Sequence, residues 1–363
     1  MRKQRILLFF FLLFMWIGLE SSAQQANNPK ALYEDLLSKM KTKAEMIKDY
    51  QSNGNQFKDA KAFFLNEMEI VKTAESFLRL ANGKKDLEDD VMTAKKYAET
   101  TLFNLFVGAS QFVYSEPAVS VRLLDEYFRA VASSQFSDLK LTVSKEAYYV
   151  YATALEATGG DKTKIEASLK KALTSDYGAT ACQQLQYLYH ERGEQDSYKR
   201  YLEYGFKNFP EALPLSIKWL IELSSSGNYA AVIRDADIVI GRINNGTIEN
   251  NDDAWSPFYF KAAALFNSEQ YEKAYKAFAE GDTKYPGHTE LLIGAGTSAA
   301  KYAQQQESDP ATARQWLQKA VAFFKKAEKA FPDRSYEWGY LLYSCYKQLG
   351  DSVMAAKYKK YAE

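Results

Sequence analysis

Apolar residues recur along most of this chain at the spacing of one helix face, and the breaks between runs fall at polar or glycine-bearing turns. Leu32, Leu36, Leu37, Met40 and Ile47 predict a helix over about 30–50, opened by Pro29 and broken by Ser52-Asn53-Gly54-Asn55. Phe57, Phe64, Val71 and Leu78 then repeat every seven residues, with Ala60, Ala74 and Ala81 between them. They predict a helix over about 56–82 that Asn82-Gly83 ends. Val91, Ala94, Ala98, Leu105, Ala109 and Phe112 predict a third, over about 87–113. The seven-residue spacing fits either a coiled coil or a helical cap packed on the first of the later helix pairs; the cap is the expectation.

From Ser115 the helices shorten and come in pairs. Glu116-Pro117 opens one with Leu123, Leu124, Tyr127, Phe128 and Val131 inward. Next come pairs over about 145–178, 179–212 and 213–246, with turns at Thr158-Gly159-Gly160-Asp161, Gly193 and Ser226-Gly227-Asn228. A polar linker, 244–253, precedes a 34-residue unit from Trp255 to His288. Its helices carry Ala262 and Ala263, then Ala274, Phe278 and Gly281, and it stops at Tyr285-Pro286. The unit from Thr289 is longer, with its second helix opened by Asp309-Pro310, and a last unit covers about 335–363.

The stops match: Phe209-Pro210, Tyr285-Pro286 and Phe331-Pro332. Pro210 and Pro286 are 76 residues apart, two 34-residue periods plus the linker; Pro286 and Pro332 are 46 apart, one period plus a twelve-residue extension. Small residues let paired helices approach, the phenylalanine fills the gap to the next pair, and proline cannot continue a helix. This order of small residue, Ala-x3-Phe and Pro resembles the tetratricopeptide repeat (TPR). The resemblance covers about 145–363 well and 115–144 loosely. Ile165, Tyr198 and Val232 depart from it where alanine is usual. It implies an all-α fold: a right-handed solenoid of antiparallel helix pairs, a TPR-like superhelix, with a long-helix N-terminal cap. The domains expected are a signal peptide over 1–23, the cap over 24–114 and the repeats over 115–363.

The signal peptide reading rests on Arg2, Lys3 and Arg5, an uncharged apolar run from Ile6 to Leu19, and Ser21-Ser22-Ala23 before a cleavage at Gln24. It predicts an exported protein of the periplasm or cell envelope, with no transmembrane segment left after processing. Processing removes three of 46 basic residues and one of 46 acidic ones, leaving a formal charge of −2. That balance speaks against nucleic acid as a partner, which calls for a basic face. The two cysteines, Cys182 and Cys345, fall several units apart and are expected as packed thiols.

The two histidines, His190 and His288, lie too far apart along the repeats to share a site, and no metal, phosphate or nucleophile motif is present. No catalytic residue, metal site or cofactor is expected. The resemblance instead implies a concave groove lined by the first helix of each unit. Carried over residue by residue, it holds Gln183, Tyr187, His190 and Glu191; Ile217 and Ile221; Tyr259, Ala263 and Asn267; Ile293, Thr297 and Lys301; and Tyr340, Ser344 and Lys347. Gln183, Ile217, Tyr259 and Ile293 stand where the family's carboxylate clamp would be, so that clamp is missing. The function implied is a non-catalytic scaffold for a protein or peptide partner. A glycan-binding accessory protein and an (α/α) toroid enzyme acting on carbohydrate are the alternatives. The extension around Gln304–Pro310 is expected to project with no apolar reason to fold back, so that deleting 301–312 would leave stability nearly unchanged.

Overall fold

The computed structural model describes residues 27–362. The signal peptide expected over 1–23 lies outside them. The described residues form α-helices joined by turns and four short 3-10 segments. The chain divides into two compact units, Met1–Ala181 and Cys182–Glu363.

In the first unit the order is α1 (Pro29–Ser52), α2 (Ala60–Ala81), α3 (Glu88–Phe112), α4 (Pro117–Val131), α5 (Lys145–Ala157) and α6 (Lys162–Ala172). Local chemistry sets the starts. Asn28 accepts from the Lys30 N–H at 3.0 Å with Pro29 in the first turn, and Asp59 accepts from the Ala62 N–H at 2.8 Å. The seven-residue stripe is used as Phe64, Val71 and Leu78, all buried; Phe57 lies ahead of α2 and stacks on Phe63. Helix α2 packs on α1, α3 and α4 together, so the stripe serves a layered stack rather than a two-stranded coiled coil.

A polar knot sits inside that stack. Glu67 of α2 is fully buried, and Lys43 of α1 places its Nζ 2.9 Å from Oε1 and 3.0 Å from Oε2, the latter with hydrogen-bond geometry. Asn104 of α3 donates to Glu67 at 2.8 Å, and Lys43 donates to Thr101 at 3.1 Å. Burial pushes the Glu67 carboxyl above the usual range, and Asn104 and Lys43 offset part of that.

The second unit takes in α7 (Gly178–Glu191) from Cys182 onward, then α8 (Gln195–Asn208), α9 (Leu213–Ser225), α10 (Tyr229–Asn244), α11 (Ser256–Asn267), α12 (Tyr271–Lys284), α13 (Thr289–Gln305), α14 (Pro310–Ala330), α15 (Ser335–Leu349) and α16 (Ser352–Tyr358). These are the predicted pairs in the predicted order, and the fold is of the TPR type. Small residues sit where helices meet: Ala262 and Ala274 are fully buried. A Cβ on Gly294 would fall 2.4 Å from Phe278, and one on Gly296 2.4 Å from Phe324, so glycine here is a packing requirement. The pairs also share a turn. Gly193, Gly227 and, in the first unit, Gly159 take φ of +69°, +71° and +68° two residues past a helix end. The same place in the 255–288 unit is held by Glu269 at +59°.

Two expectations are corrected. The linker over 244–253 is not simply polar filler. Ile248 is buried in the core beside Ala254, its N–H bonds the Arg242 carbonyl, and the Tyr285 hydroxyl donates to Asn250. Nor does the extension lack apolar contacts. Tyr302 meets Trp316 at 4.6 Å between ring centres, Tyr275 meets it at 5.0 Å, and Ala303 and Trp316 are buried. Arg314 also donates to the Leu349 carbonyl at the end of α15, at 3.3 Å. Tyr302 and Trp316 flank the glutamine-rich tip on either side, so the two lengthened helices are held together by an aromatic pair close to it.

Both cysteines are buried and free, and burial pushes each thiol up to about 12.

Candidate concave binding face

In the second unit the first helices of successive pairs touch: α9 meets α11, α11 meets α13, and α13 meets α15. Side chains pointing away from their paired second helices therefore share one face. Between α11, α13 and α15 this face hollows into a pocket of about 540 Å³. Tyr259, Ala263, Phe266 and Asn267 come from α11, Ile293, Gly294 and Thr297 from α13, and Phe278 from α12 closes the floor. The missing side chain at Gly294 lets the Phe278 ring pack close beneath; the ring is 3% exposed, so it backs the pocket rather than opening onto it. Glu290, Arg334 and Glu337 complete the rim. Arg334 donates to Glu337 from Nε at 2.8 Å and approaches it with Nη2 at 2.5 Å. Near the rim, Trp255 stacks on His288 at 4.4 Å and meets Tyr259 edge-on at 5.9 Å.

Of the residues expected in the groove, the pocket brings together Tyr259, Ala263, Asn267, Ile293 and Thr297. Elsewhere on the second unit, Tyr187, His190 and Glu191 are exposed on α7 and Gln183 is half-buried. The His190 ring rests edge-on against Tyr198 at 5.3 Å, a contact within its own helix pair. Ile221 is exposed and Ile217 half-buried on α9; Lys301 is exposed near the end of α13. Tyr340 is exposed on α15, while Lys347 lines a separate hollow with Tyr343, Gly350 and Ser352.

Sequence reasoning missed Phe266, Phe278, Glu290, Arg334 and Glu337. The repeat pattern assigns Phe278 to the core and gives Phe266 no role. The other three sit just outside or in the first turn of a helix, where the groove register does not reach. An Arg-x-x-Glu pair opening a helix was the available signal. The first unit also has exposed apolar residues on a first helix: Phe103, Val107 and, just past the end of α3, Tyr114. They lie in the region expected to be only a cap.

No family model matches the chain, and no curated protein matches it in sequence. Solved structures do resemble it. The C-terminal part of a TPR repeat-containing protein from Cytophaga hutchinsonii aligns at TM-score 0.45 and 12% identity, over 70% of this chain and 93% of that one. PilW, a type IV pilus biogenesis factor, aligns at 0.39 and 14%, over 61% and 92%. The TPR domain of P58(IPK) aligns at 0.30 and 13%, over 88% and 99%. At these values they add nothing to the helix pairing already described. Among the described residues no helix is long and apolar enough to cross a membrane.

Proposed function

We propose that this protein is an exported, non-catalytic scaffold of the bacterial cell envelope that binds a protein or peptide partner on the first-helix face of its second unit. One observation carries the reading: the pocket between α11, α13 and α15 has an apolar floor and wall and a polar rim, open to solvent. Its volume lies within the ~300–1,000 Å³ typical of ligand sites, and an apolar floor with a few polar groups fixes orientation while burial gives affinity. Parallel helices offering side chains along one face suit an extended or helical segment. Export rests on the basic, apolar and small-residue order of residues 1–23.

The test is affinity capture from envelope extracts beside a glycan array, each run with the protein and with Ala263→Trp. Ala263 is half-buried in the pocket wall, so the indole fills the hollow without entering the core. The expected result is a protein captured by the parent and lost with Ala263→Trp at an unchanged melting temperature, with a blank array. Binding to the array with no captured protein makes this a glycan-binding protein instead. Intact mass of the envelope form should show a chain starting at Gln24; retention of residues 1–23 would refute processing.

A further inference from the structure

The rim of the pocket is unbalanced in charge. It holds two carboxylates, Glu290 and Glu337, and one cation, Arg334. Arg334 is committed to Glu337 through two nitrogens. Glu290, exposed in the first turn of α13, makes no ion pair or hydrogen bond among the described residues. Beside it lie the partly buried Ile293 and Phe266, backed by the buried Phe278 ring.

Resting on the reading of this face as a peptide-binding surface, we propose that the pocket takes a lysine or arginine side chain of the partner, its methylene stem on the apolar floor and its cation against Glu290. Each alternative occupant suits the rim less well. A purely apolar side chain would fill the hollow but leave the exposed Glu290 carboxylate unused at the rim. An acidic side chain would face Glu290 and Glu337, with the only rim cation already engaged. A long basic side chain lying along the face can rest its apolar stem across Ile293 and turn its charged tip to Glu290, one turn away on the same helix. Exclusion of the wrong partners and attraction of the right one thus come from the same residue.

The experiment uses an immobilised peptide library randomised around a fixed central residue: lysine, arginine, norleucine, acetyl-lysine or glutamate. Norleucine keeps the stem and removes the charge. The full chain should retain the lysine and arginine sets about fivefold over norleucine, the upper range for an exposed ion pair, with glutamate weakest. Raising the salt should shrink that ratio. Glu290→Gln should bring it near unity while norleucine binding persists, and Ala263→Trp should abolish retention of every set. Equal retention of lysine and norleucine by the parent, lost with Ala263→Trp, would overturn this inference and leave the peptide-binding reading standing. A ratio that survives Glu290→Gln overturns the assignment to that carboxylate. Retention of no set at all removes both readings.

Discussion

The two units bury charge by different means. In the first, helices of 24, 22 and 25 residues pack around a charge pair with both ends inside: Glu67 is 0% exposed and the Lys43 side chain 11%. In the second, buried carboxylates also occur, but their cations reach water. Asp235 meets Arg234, whose side chain is 68% exposed, and Asp282 meets Lys326 at 59%. Close approach rests on small residues in both units, Gly108 against Phe64 in the first and Ala262, Ala274, Gly294 and Gly296 in the second, and left-handed turn residues follow helices in both. The contrast arises from helix length. A long helix whose apolar residues repeat every seven can slide by one heptad and keep its contacts, whereas Lys43 and Glu67 meet in one register only. Short helices leave less than one further heptad to slide into, so they have less need of such a device.

The largest effect expected from breaking this contrast is Lys43→Met. It leaves Glu67 buried with only neutral donors and should destabilise the first unit by about 3–5 kcal/mol near neutral pH. Hydrogen exchange across a denaturant series would place the loss in α1–α3. The pH dependence has a definite sign. Burial raises the Glu67 pKa in the folded state, and losing Lys43 raises it further, so the folded form binds a proton that the unfolded form has released. The stability lost is therefore present below the unfolded carboxylate pKa of about 4.3 and disappears as pH rises through the folded value. The variant should recover toward the parent on mild acidification. Replacing both residues, Lys43→Met with Glu67→Met, should cost far less than Lys43→Met alone; an equal cost would show that the pair does not act as a pair.

That contrast also explains how much the sequence reveals. The repeat units of the second half were legible because spacing, turn glycines and Pro stops each report backbone geometry directly. Five pocket residues were named in advance because the groove positions that the TPR resemblance implies fall on these first helices. The Lys43–Glu67 pair was not, since a lysine and a glutamate 24 positions apart look like any two solvated charges. Glu290, Arg334 and Glu337 were hidden for a related reason: a rim is made where helices begin, and three helices must be placed before it exists. Phe278 read as the filler between pairs and is buried at 3%, while Phe266 was not singled out because the groove register passes over it.

Deleting 301–312 tests whether the second unit tolerates a return to the plain period. The deletion removes Tyr302 and Ala303 and uncovers Trp316, which is 8% exposed. Re-exposing a large buried apolar side chain costs about 1.5–3 kcal/mol, so a loss of about 2 kcal/mol is expected in denaturant melts. A melt unchanged by the deletion would make the extension a mere insertion, as the glutamine-rich tip alone suggests.

A smaller effect probes the turns. Glu269 is exposed and takes the left-handed conformation that glycine takes at the matching place in other pairs. An L residue there costs about 1–2 kcal/mol, and glycine loses about 0.5–1 kcal/mol more backbone entropy on folding. Glu269→Gly should therefore stabilise by about 0.5–1 kcal/mol, and Gly159→Glu should destabilise by a similar amount, both read from melting temperature. If Glu269→Gly is neutral or worse, the left-handed backbone at this turn costs the protein nothing that glycine relieves.

The smallest expected change concerns residues exposed in both units. Phe103 is 65% exposed on α3 and Tyr340 56% exposed on α15. Substitutions at open positions usually move stability by no more than about 0.5 kcal/mol. Phe103→Ser and Tyr340→Ser should each fall within that range. Phe103 does touch a neighbour, Phe106, but at 6.3 Å between ring centres in an edge arrangement that leaves most of its surface in water. A loss above about 2 kcal/mol for Phe103→Ser would show that α3 uses this side chain to hold the first unit together. A neutral result gives the two positions the same standing: large apolar side chains in water that the fold does not require. Partner capture then separates them. Loss of capture with Tyr340→Ser and not with Phe103→Ser confines recognition to the second unit, where the pocket lies. Loss with Phe103→Ser would mean that the region read as a cap also carries a binding surface.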